Sequence, residues 1–367
     1  MLRYGVIQRT SLAGGRLWLA FAACLLACVL SSPARAETPP TRIAYLTGSA
    51  NDPVTQVWLA NASGGEKKLL GPGEDPLLAP DGQSVAVALA SVSANPEKGP
   101  GIGIYSALGT PVADYLDLEN ATYTPLAWSP DSRYLAVARQ STVIPFLASG
   151  SGLLVIDTQT GTVTSIAEGV INGASFAQDG SDRVVFAYSH SLSVSAPTNV
   201  FISAPHGGGL TRLTHDGHSL NPLWGPRFIA YDRERLRRND APVFQIWLQA
   251  PTSTQARRLT NLKVGPLVSG LDPLAFSASG SRLLAEFGGE DTSEAWVVSV
   301  PSGHARRVLV RGRSVEAGGI SRDGSTVLVD EDGLEGPPSG GRVALVPFAG
   351  GRAKVLLTHG AQASWNG

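Results

Sequence analysis

Ala127-Trp128-Ser129-Pro130-Asp131-Ser132-Arg133-Tyr134-Leu135-Ala136-Val137 reads as an apolar strand ending on an aromatic residue, a tight turn and a second apolar strand. Pro130 presets φ for the second turn position and Asp131 bonds the local backbone. The unit recurs at Leu77-Leu78-Ala79-Pro80-Asp81-Gly82, Ala174-Ser175-Phe176-Ala177-Gln178-Asp179-Gly180, Leu223-Trp224-Gly225-Pro226, Leu274-Ala275-Phe276-Ser277-Ala278-Ser279-Gly280 and Gly318-Gly319-Ile320-Ser321-Arg322-Asp323-Gly324. Gly82, Gly180, Gly280 and Gly324 supply the positive φ of a tight hairpin, Ser132 stands in for glycine in one copy, and the copy at Pro226-Arg227 is shortened. A seventh copy is divided between the two ends. Ala363-Ser364-Trp365-Asn366-Gly367 carries its first half and Arg42-Ile43-Ala44-Tyr45-Leu46 the strand that follows.

Each unit continues with a third strand, such as Gln56-Val57-Trp58-Leu59 or Gln245-Ile246-Trp247-Leu248, and a fourth ending near Leu70, Leu116, Ile166, Leu213, Leu259, Leu309 or Leu357. Without residues 1–36 the chain has about 331 residues, or about 47 per copy, a propeller-blade period. The expected fold is all-β: a seven-bladed β-propeller of four-stranded antiparallel blades over residues 37–367. Joining the N- and C-terminal strands in one blade would close the ring and remove an unpaired sheet edge. The expected state is a monomer. The Pro-Asp turns and the third-to-fourth-strand turns fall on one face. The long connections 89–101, 140–151, 188–198, 232–243, 287–294 and 331–341 fall on the other, where binding residues are expected.

The chain has 367 residues, 43% hydrophobic and 16% charged, a globular rather than disordered composition. Residues 1–36 read as a secretory signal: Arg3, Arg9 and Arg16, then a 14-residue apolar run from Leu17 to Leu30, then Ala34-Arg35-Ala36 as a cleavage site. That run is short for a membrane span, which needs about 20 residues. The expected location is therefore periplasmic or secreted. Leu26-Ala27-Cys28 leaves open an acylated Cys28 as a lipoprotein anchor, and an uncleaved anchor is a further option. Losing residues 1–36 moves the formal charge from −1 (29 basic, 30 acidic) to −5 (25 basic, 30 acidic), which argues against nucleic acid as a partner. Both cysteines lie in this segment, so the mature domain needs no disulfide.

The repeats resemble those of the TolB-like propeller family, the WD40-like repeat of bacterial envelope proteins. The 127–137 stretch and Leu210-Thr211-Arg212-Leu213-Thr214, which matches that family's fourth strand, carry the resemblance across about residues 41–367. It implies a non-catalytic protein-binding or scaffold module with an envelope protein as partner. TolB itself has an N-terminal α/β domain and six blades, and this sequence departs from it in both. The repeat is also similar to the propeller of prolyl-oligopeptidase-type peptidases.

No catalytic set, metal or cofactor is expected. His206-Gly207-Gly208-Gly209 spells an esterase oxyanion-loop motif, but no Gly-x-Ser-x-Gly elbow accompanies it, and a plain turn is the expectation. His215-Asp216-Gly217-His218 reads as a crossing loop rather than a zinc site. Glu290-Asp291, Glu294 and Asp330-Glu331-Asp332 read as solvated loop acids. Asp232-Arg233-Glu234-Arg235-Leu236-Arg237-Arg238-Asn239-Asp240 is the densest charge run, and Arg233, Arg235, Arg237 and Arg238 make it a candidate partner loop. Asp75, Thr124, Asn172, Asn221, Asp272, Glu316 and Gln362 fall at the entry to each innermost strand and are expected to ring the channel mouth. They could hold a ligand or a partner's chain end, or cap backbone where each crossing enters its sheet. A propeller enzyme or small-ligand binder using this mouth is the alternative reading.

Overall fold

The computed structural model describes residues 41–49, 52–89, 100–116, 121–142, 150–191, 196–236, 242–263, 268–289, 292–310, 315–331 and 341–366. All lie in one compact unit, Pro40–Gly367. The signal-like segment and most of the long connections fall outside the described residues. Among the described residues there are 28 strands and no helix.

Apolar stretches rich in Val, Ile, Leu and aromatics, cut at regular intervals by Gly, Pro and Asp, cannot stay helical and pair as short strands. β1 (Arg42–Ser49), β2 (Asp52–Asn61) and β3 (Lys68–Pro72) pair antiparallel in chain order. Then come β4 (Glu74–Leu78), β5 (Ser84–Leu89), β6 (Gly101–Ser106) and β7 (Pro111–Leu116), followed by β8 (Ala121–Trp128), β9 (Tyr134–Ser141), β10 (Gly152–Asp157) and β11 (Thr162–Glu168). β12 (Val170–Phe176), β13 (Val184–Ser189), β14 (Asn199–Ser203) and β15 (Thr211–Arg212) form the next group. After it come β16 (Ser219–Trp224), β17 (Ile229–Leu236), β18 (Pro242–Gln249) and β19 (Ala256–Arg258). β20 (Val268–Phe276), β21 (Arg282–Gly289), β22 (Thr292–Ser299) and β23 (Ala305–Arg307) precede β24 (Val315–Ile320), β25 (Thr326–Glu331), β26 (Arg342–Pro347) and β27 (Lys354–Leu357). The last strand, β28 (Ala361–Trp365), pairs antiparallel with β1, Ile43 opposite Trp365 and Ala44 opposite Ser364.

Within each group the pairing is antiparallel and sequential. The groups starting at β16, β20 and β24 are joined through single parallel pairs, Phe244 opposite Gly270 and Glu294 opposite Val315. Gly270 makes the first junction possible, because a Cβ there would sit 2.2 Å from the Phe244 carbonyl oxygen, at φ 129°.

The core is distributed between the groups. Seven apolar clusters each take residues from two groups. Val185, Ala187 and Val200 pack on Trp224, Ile229 and Tyr231, for example. Leu328, Val343 and Leu357 likewise pack on Ile43, Tyr45, Ala60 and Ala363. Burying each large side chain contributes about 1.5–3 kcal/mol, so these clusters supply most of the attraction between groups. β28 touches β4 on one side and β24 on the other. Polar ties support the first strands: Ser364 Oγ accepts from Leu78 N (3.0 Å), Trp128 Nε1 donates to Leu77 O (3.0 Å) and Ser175 Oγ accepts from Trp224 N (2.7 Å).

The hairpin turns have the expected conformation. Gly82, Gly180, Gly280 and Gly324 have φ of 68°, 76°, 67° and 71°, and Ser132 has φ 62°. Ser129 Oγ donates to Asp131 Oδ1 (2.5 Å) and accepts from Tyr134 N (2.8 Å). Ser321, Asp323 and Thr326 N repeat that arrangement at 2.6 and 3.0 Å.

The charge run at 232–240 departs from its expected loop. Residues through Leu236 belong to β17, paired with β18 from Ile229 opposite Gln249 to Leu236 opposite Pro242. Strand alternation sends Asp232 to one face and Arg233 to the other. Arg233 is committed: its Nε lies 3.3 Å from Asp216 Oδ2 and its guanidinium carbon 4.9 Å from the centre of the Trp247 ring. Arg235 is a strand residue opposite Val243, and Arg237 and Arg238 lie outside the described residues. Several expected solvated acids are also buried. Asp330 and Glu331 end β25, with Glu331 bound to Arg342 (2.5 Å), and Glu294 in β22 accepts from Trp296 Nε1 (3.0 Å) and meets Arg307 Nη1 (3.0 Å).

Candidate functional site

Every group's first strand carries an irregularity in its pairing with the second: between Glu74 and Leu77, Pro125 and Ala127, Ile171 and Ala174, Leu220 and Leu223, Pro273 and Ala275, and Ala317 and Gly319. In β1 against β28 it falls between Ala44 and Leu46. An extra residue of this kind bends the strand and re-aims the side chains beside it. The seven candidate mouth residues sit at these bulges, inside the strands rather than before them.

They divide into two sets. Asp75, Asn221 and Gln362 lie three residues before Leu78, Trp224 and Trp365, and have φ of 48°, 45° and 47°. This left-handed backbone suits Asp and Asn, whose short side chains bond locally, and costs a residue such as Gln about 1–2 kcal/mol. Thr124, Asn172, Asp272 and Glu316 lie four residues before Trp128, Phe176, Phe276 and Ile320, and none is among the residues with positive φ. Asp75, Thr124 and Gln362 are exposed, and the other four are half-buried.

Counting along the second strand from the residue opposite that same apolar end brings out residues that the sequence reading missed. Three positions on from Val85, Leu135, Val184, Ile229, Leu283, Val327 and Ile43 stand Ala88, Ala138, Ala187, Asp232, Glu286, Asp330 and Leu46. Three successive groups thus place a carboxylate at one register position. Asp272 lies opposite Glu286 and Glu316 opposite Asp330 in their sheets.

These acids face one another across the groups. Asp232, 1% exposed, lies against Asp272 of the next group, and burial together with Asp272 pushes its carboxyl well above the usual carboxylate range. Asp272 itself is raised to about 6, by burial first and then by Glu286, while its hydrogen bond with Asp232 opposes the shift. Two like charges in hydrogen-bond contact cannot both ionise freely, so the pair shares a proton. Asn221 Nδ2 approaches Asp232 Oδ2 at 3.4 Å, and Asp232 Oδ1 meets no N–H or hydroxyl donor. Glu286 Oε1 accepts from Ser293 Oγ (2.5 Å). Burial and then Glu286 raise Glu316. Asp330, 4% exposed, is raised to about 7 by burial, which outweighs the bond that its Oδ2 accepts from Ala363 N of β28 (2.9 Å). Burial also raises Asp75, which keeps some contact with solvent.

A cavity of about 410 Å³ opens among the first strands β8, β12, β16 and β20, with Asn221, Asp272 and Glu286 in its lining. A second, of about 530 Å³, shares Trp128, Gln178, Leu223, Trp224 and Leu274 with it and reaches Pro80, Pro130 and Pro226 at the Pro-Asp turns. The two cavities thus adjoin the same side chains, the first with an acidic lining and the second with aromatic residues and prolines. Asp75, Thr124, Asn172, Glu316 and Gln362 line neither of these two cavities.

The other motifs resolve into local structure. Gly207, Gly208 and Gly209 have φ of 76°, 91° and 62° in the turn after β14, and His206 Nε2 lies 3.2 Å from the Tyr134 hydroxyl. Asp216 accepts from His218 N (2.8 Å) and Ser219 Oγ (2.9 Å), as a turn residue does. Among the described residues no group of three His, Cys, Asp or Glu side chains is placed to hold a metal ion.

No family model and no curated protein matches the sequence. Solved structures do. The chain is similar to TolB from Acinetobacter baumannii at 14% identity over 89% of this chain and 66% of that one, with a TM-score of 0.53. It is similar to the β-propeller domain of the Trilobed protease from Pyrococcus furiosus at 11% identity over 87% and 93% of the two chains, TM-score 0.59. It is also similar to an oligogalacturonate lyase in complex with manganese at 14% identity over 80% and 84%, TM-score 0.54. The chain spans just under two thirds of the TolB chain and about half, 48%, of a matched prolyl endopeptidase. At these identities the likeness is one of fold, and the fold is a TolB-like β-propeller.

Proposed function

We propose that this chain is an exported, closed seven-bladed propeller that works by binding a partner in the bacterial envelope, through the acidic end of its central hollow. Support for the closed ring comes from the seven clusters between groups and from β28, which pairs with β1 and touches both β4 and β24. One observation carries the binding reading: Asp232, Glu286 and Asp330 occupy a single register position in three successive groups, where the other four hold Ala or Leu. Burying carboxylates beside carboxylates costs stability, and proteins tolerate such violations where function requires them. Export rests on residues 1–36, and the intact mass of the recovered protein separates cleavage after Ala36 from lipidation at Cys28.

In-cell crosslinking of the tagged protein, followed by mass spectrometry, tests the binding reading. One reproducible envelope protein, lost on Asp272→Asn with Glu286→Gln, is the expected result. The same protein recovered undiminished by that double variant overturns the role of the acidic end. The Asp232–Asp272 pair favours a second reading, a propeller enzyme, because two carboxyls with separated proton affinities can serve as acid and base. Turnover of a small substrate that Asp272→Asn abolishes would decide for it.

A further inference from the structure

The charged groups that act on the buried acids of β17, β20, β24 and β25 are themselves carboxylates. Asp232 feels Asp272, Asp272 feels Glu286, Glu316 feels Glu286, and Asp330 feels Glu316. The remaining contributions are desolvation, the Asn221 side chain and backbone N–H groups. No Lys, Arg or His among the described residues compensates them in those interactions. Arg233, adjacent to Asp232 in sequence, is turned to the opposite face and held by Asp216 and Trp247.

A buried carboxylate normally carries its cation with it. Asp232 is 1% exposed, its Oδ1 meets no N–H or hydroxyl donor, and besides its contact with the Asp272 carboxyl its side chain has only the long 3.4 Å approach of the Asn221 amide to Oδ2. Asn221 and Asp272, the two residues that Asp232 abuts, both line the 410 Å³ hollow, and Glu286 joins them there. The acids are therefore arranged in depth, with Asp272 and Glu286 at the surface of the hollow and Asp232 behind them. Leu126, Pro222, Leu223 and Leu274 add an apolar lining to the same hollow.

We propose that this pocket takes an organic cation, an ammonium or guanidinium group carried on an apolar stem, with Asp272 and Glu286 as its contacts and Asp232 behind them holding Asp272 by a hydrogen bond. This rests on the reading of the acidic end as the binding end and names the chemistry of what enters it. A Lys or Arg side chain or a chain's amino terminus would present that group, with the stem lying along the apolar lining of the hollow. Binding requires ionised carboxylates; Asp272 on β20 and Glu286 on β21 line the site, Asp232 on β17 lies behind Asp272, and Glu316 on β24 and Asp330 on β25 continue the chain of acids outside the hollow. Affinity should then rise with pH as Asp272, near 6, gives up its proton.

Isothermal titration calorimetry of the purified protein with agmatine, which carries both cationic groups on a short stem, tests this. Saturable binding at about pH 8, weakened about tenfold at about pH 5, is expected. Asp272→Asn and, separately, Glu286→Gln should each weaken it by about tenfold or more, and Asp75→Asn should leave it unchanged. Melting curves establish that each variant is folded, and Glu286→Gln keeps the test decisive if Asp272→Asn does not fold. No saturable heat at about pH 8, binding unaffected by both variants, or binding of calcium chloride without binding of agmatine overturns the proposal. If agmatine fails while the crosslinked partner still depends on Asp272 and Glu286, the cation assignment falls and the binding reading stands.

Discussion

At one register position two sectors of the molecule differ in chemistry on nearly the same backbone. In β5, β9 and β13 it holds Ala88, Ala138 and Ala187, and in β17, β21 and β25 it holds Asp232, Glu286 and Asp330. Both sectors have four-stranded antiparallel groups, a bulge in the first strand and an apolar cluster between neighbours. The alanine sector fills the position with a methyl and gains packing. The acidic sector fills it with a carboxyl that loses hydration and faces another acid, so the two sectors differ in the chemistry of this position and not in how the fold is built.

The comparison breaks most sharply if a carboxylate is moved across it. Ala187→Asp puts a charge into the buried cluster of Val185, Val200, Trp224 and Tyr231, where it loses its hydration and meets no cation. A loss of about 3 kcal/mol or more is expected by urea unfolding. A loss below about 1 kcal/mol would mean that any group tolerates an acid there.

Within the acidic sector Asp330 has a bond to the backbone of the next group. Its Oδ2 holds Ala363 N of β28, so Asp330→Ala should cost about 1–3 kcal/mol by orphaning that N–H. Asp330→Asn, which keeps an acceptor, should cost much less, and equal losses for the two would show that the bond contributes little.

Protons supply the third test. Asp330 and Asp272 have folded values raised to about 7 and about 6 from 3.8, so between those limits the folded protein binds more protons than the unfolded one. Their contribution to stability is fully present below the unfolded value and is lost as pH rises through the folded ones. The melting temperature should therefore fall by a few degrees between about pH 5 and about pH 8, and Asp330→Asn should flatten the upper part of that decline. Asp157 and Asp323, lowered to about 2 by Arg133 and by Ser321 with Ser325 N, act in the opposite sense and only in acid, between the ordinary value and about 2.

The smallest expected effect is a gain. Asp232→Asn replaces one acid of the shared pair by an amide that can donate to Asp272, and should stabilise the protein by about 1 kcal/mol at about pH 8. A loss of stability would mean that Asp232 has a donor in solution that the structure does not show.

Much of the fold is legible in the chain because it follows from local chemistry. Pro-Asp-Gly turns impose hairpins wherever they occur, and the apolar strands on either side pair through their own backbones. The halves of the divided copy, 361–366 and 42–46, share a sheet as their composition implies, Ile43 meeting Trp365. The seven mouth candidates can be picked out because turn and strand recur at fixed spacing, and they do fall beside the bulges. That Asn221 and Asp272 line the hollow while Asp75 and Gln362 do not is not legible, because a bulge shifts the register by one residue without leaving a mark in composition.

Charge is the least legible property. In sequence Asp232 looks like the start of a solvated run and Asp330 like a loop acid, yet both are buried second-strand residues that meet a neighbouring group. The aligned second strands, Ile229-Ala230-Tyr231-Asp232, Leu283-Leu284-Ala285-Glu286 and Val327-Leu328-Val329-Asp330, do carry the signal at a common position. Strands, turns and repeat follow from the chain alone, since they depend on interactions within a few residues. Which acids lose water, and which face one another, is set by long-range packing: Asp232 meets Asp272, and Asp330 meets Ala363, only where one group stacks on the next.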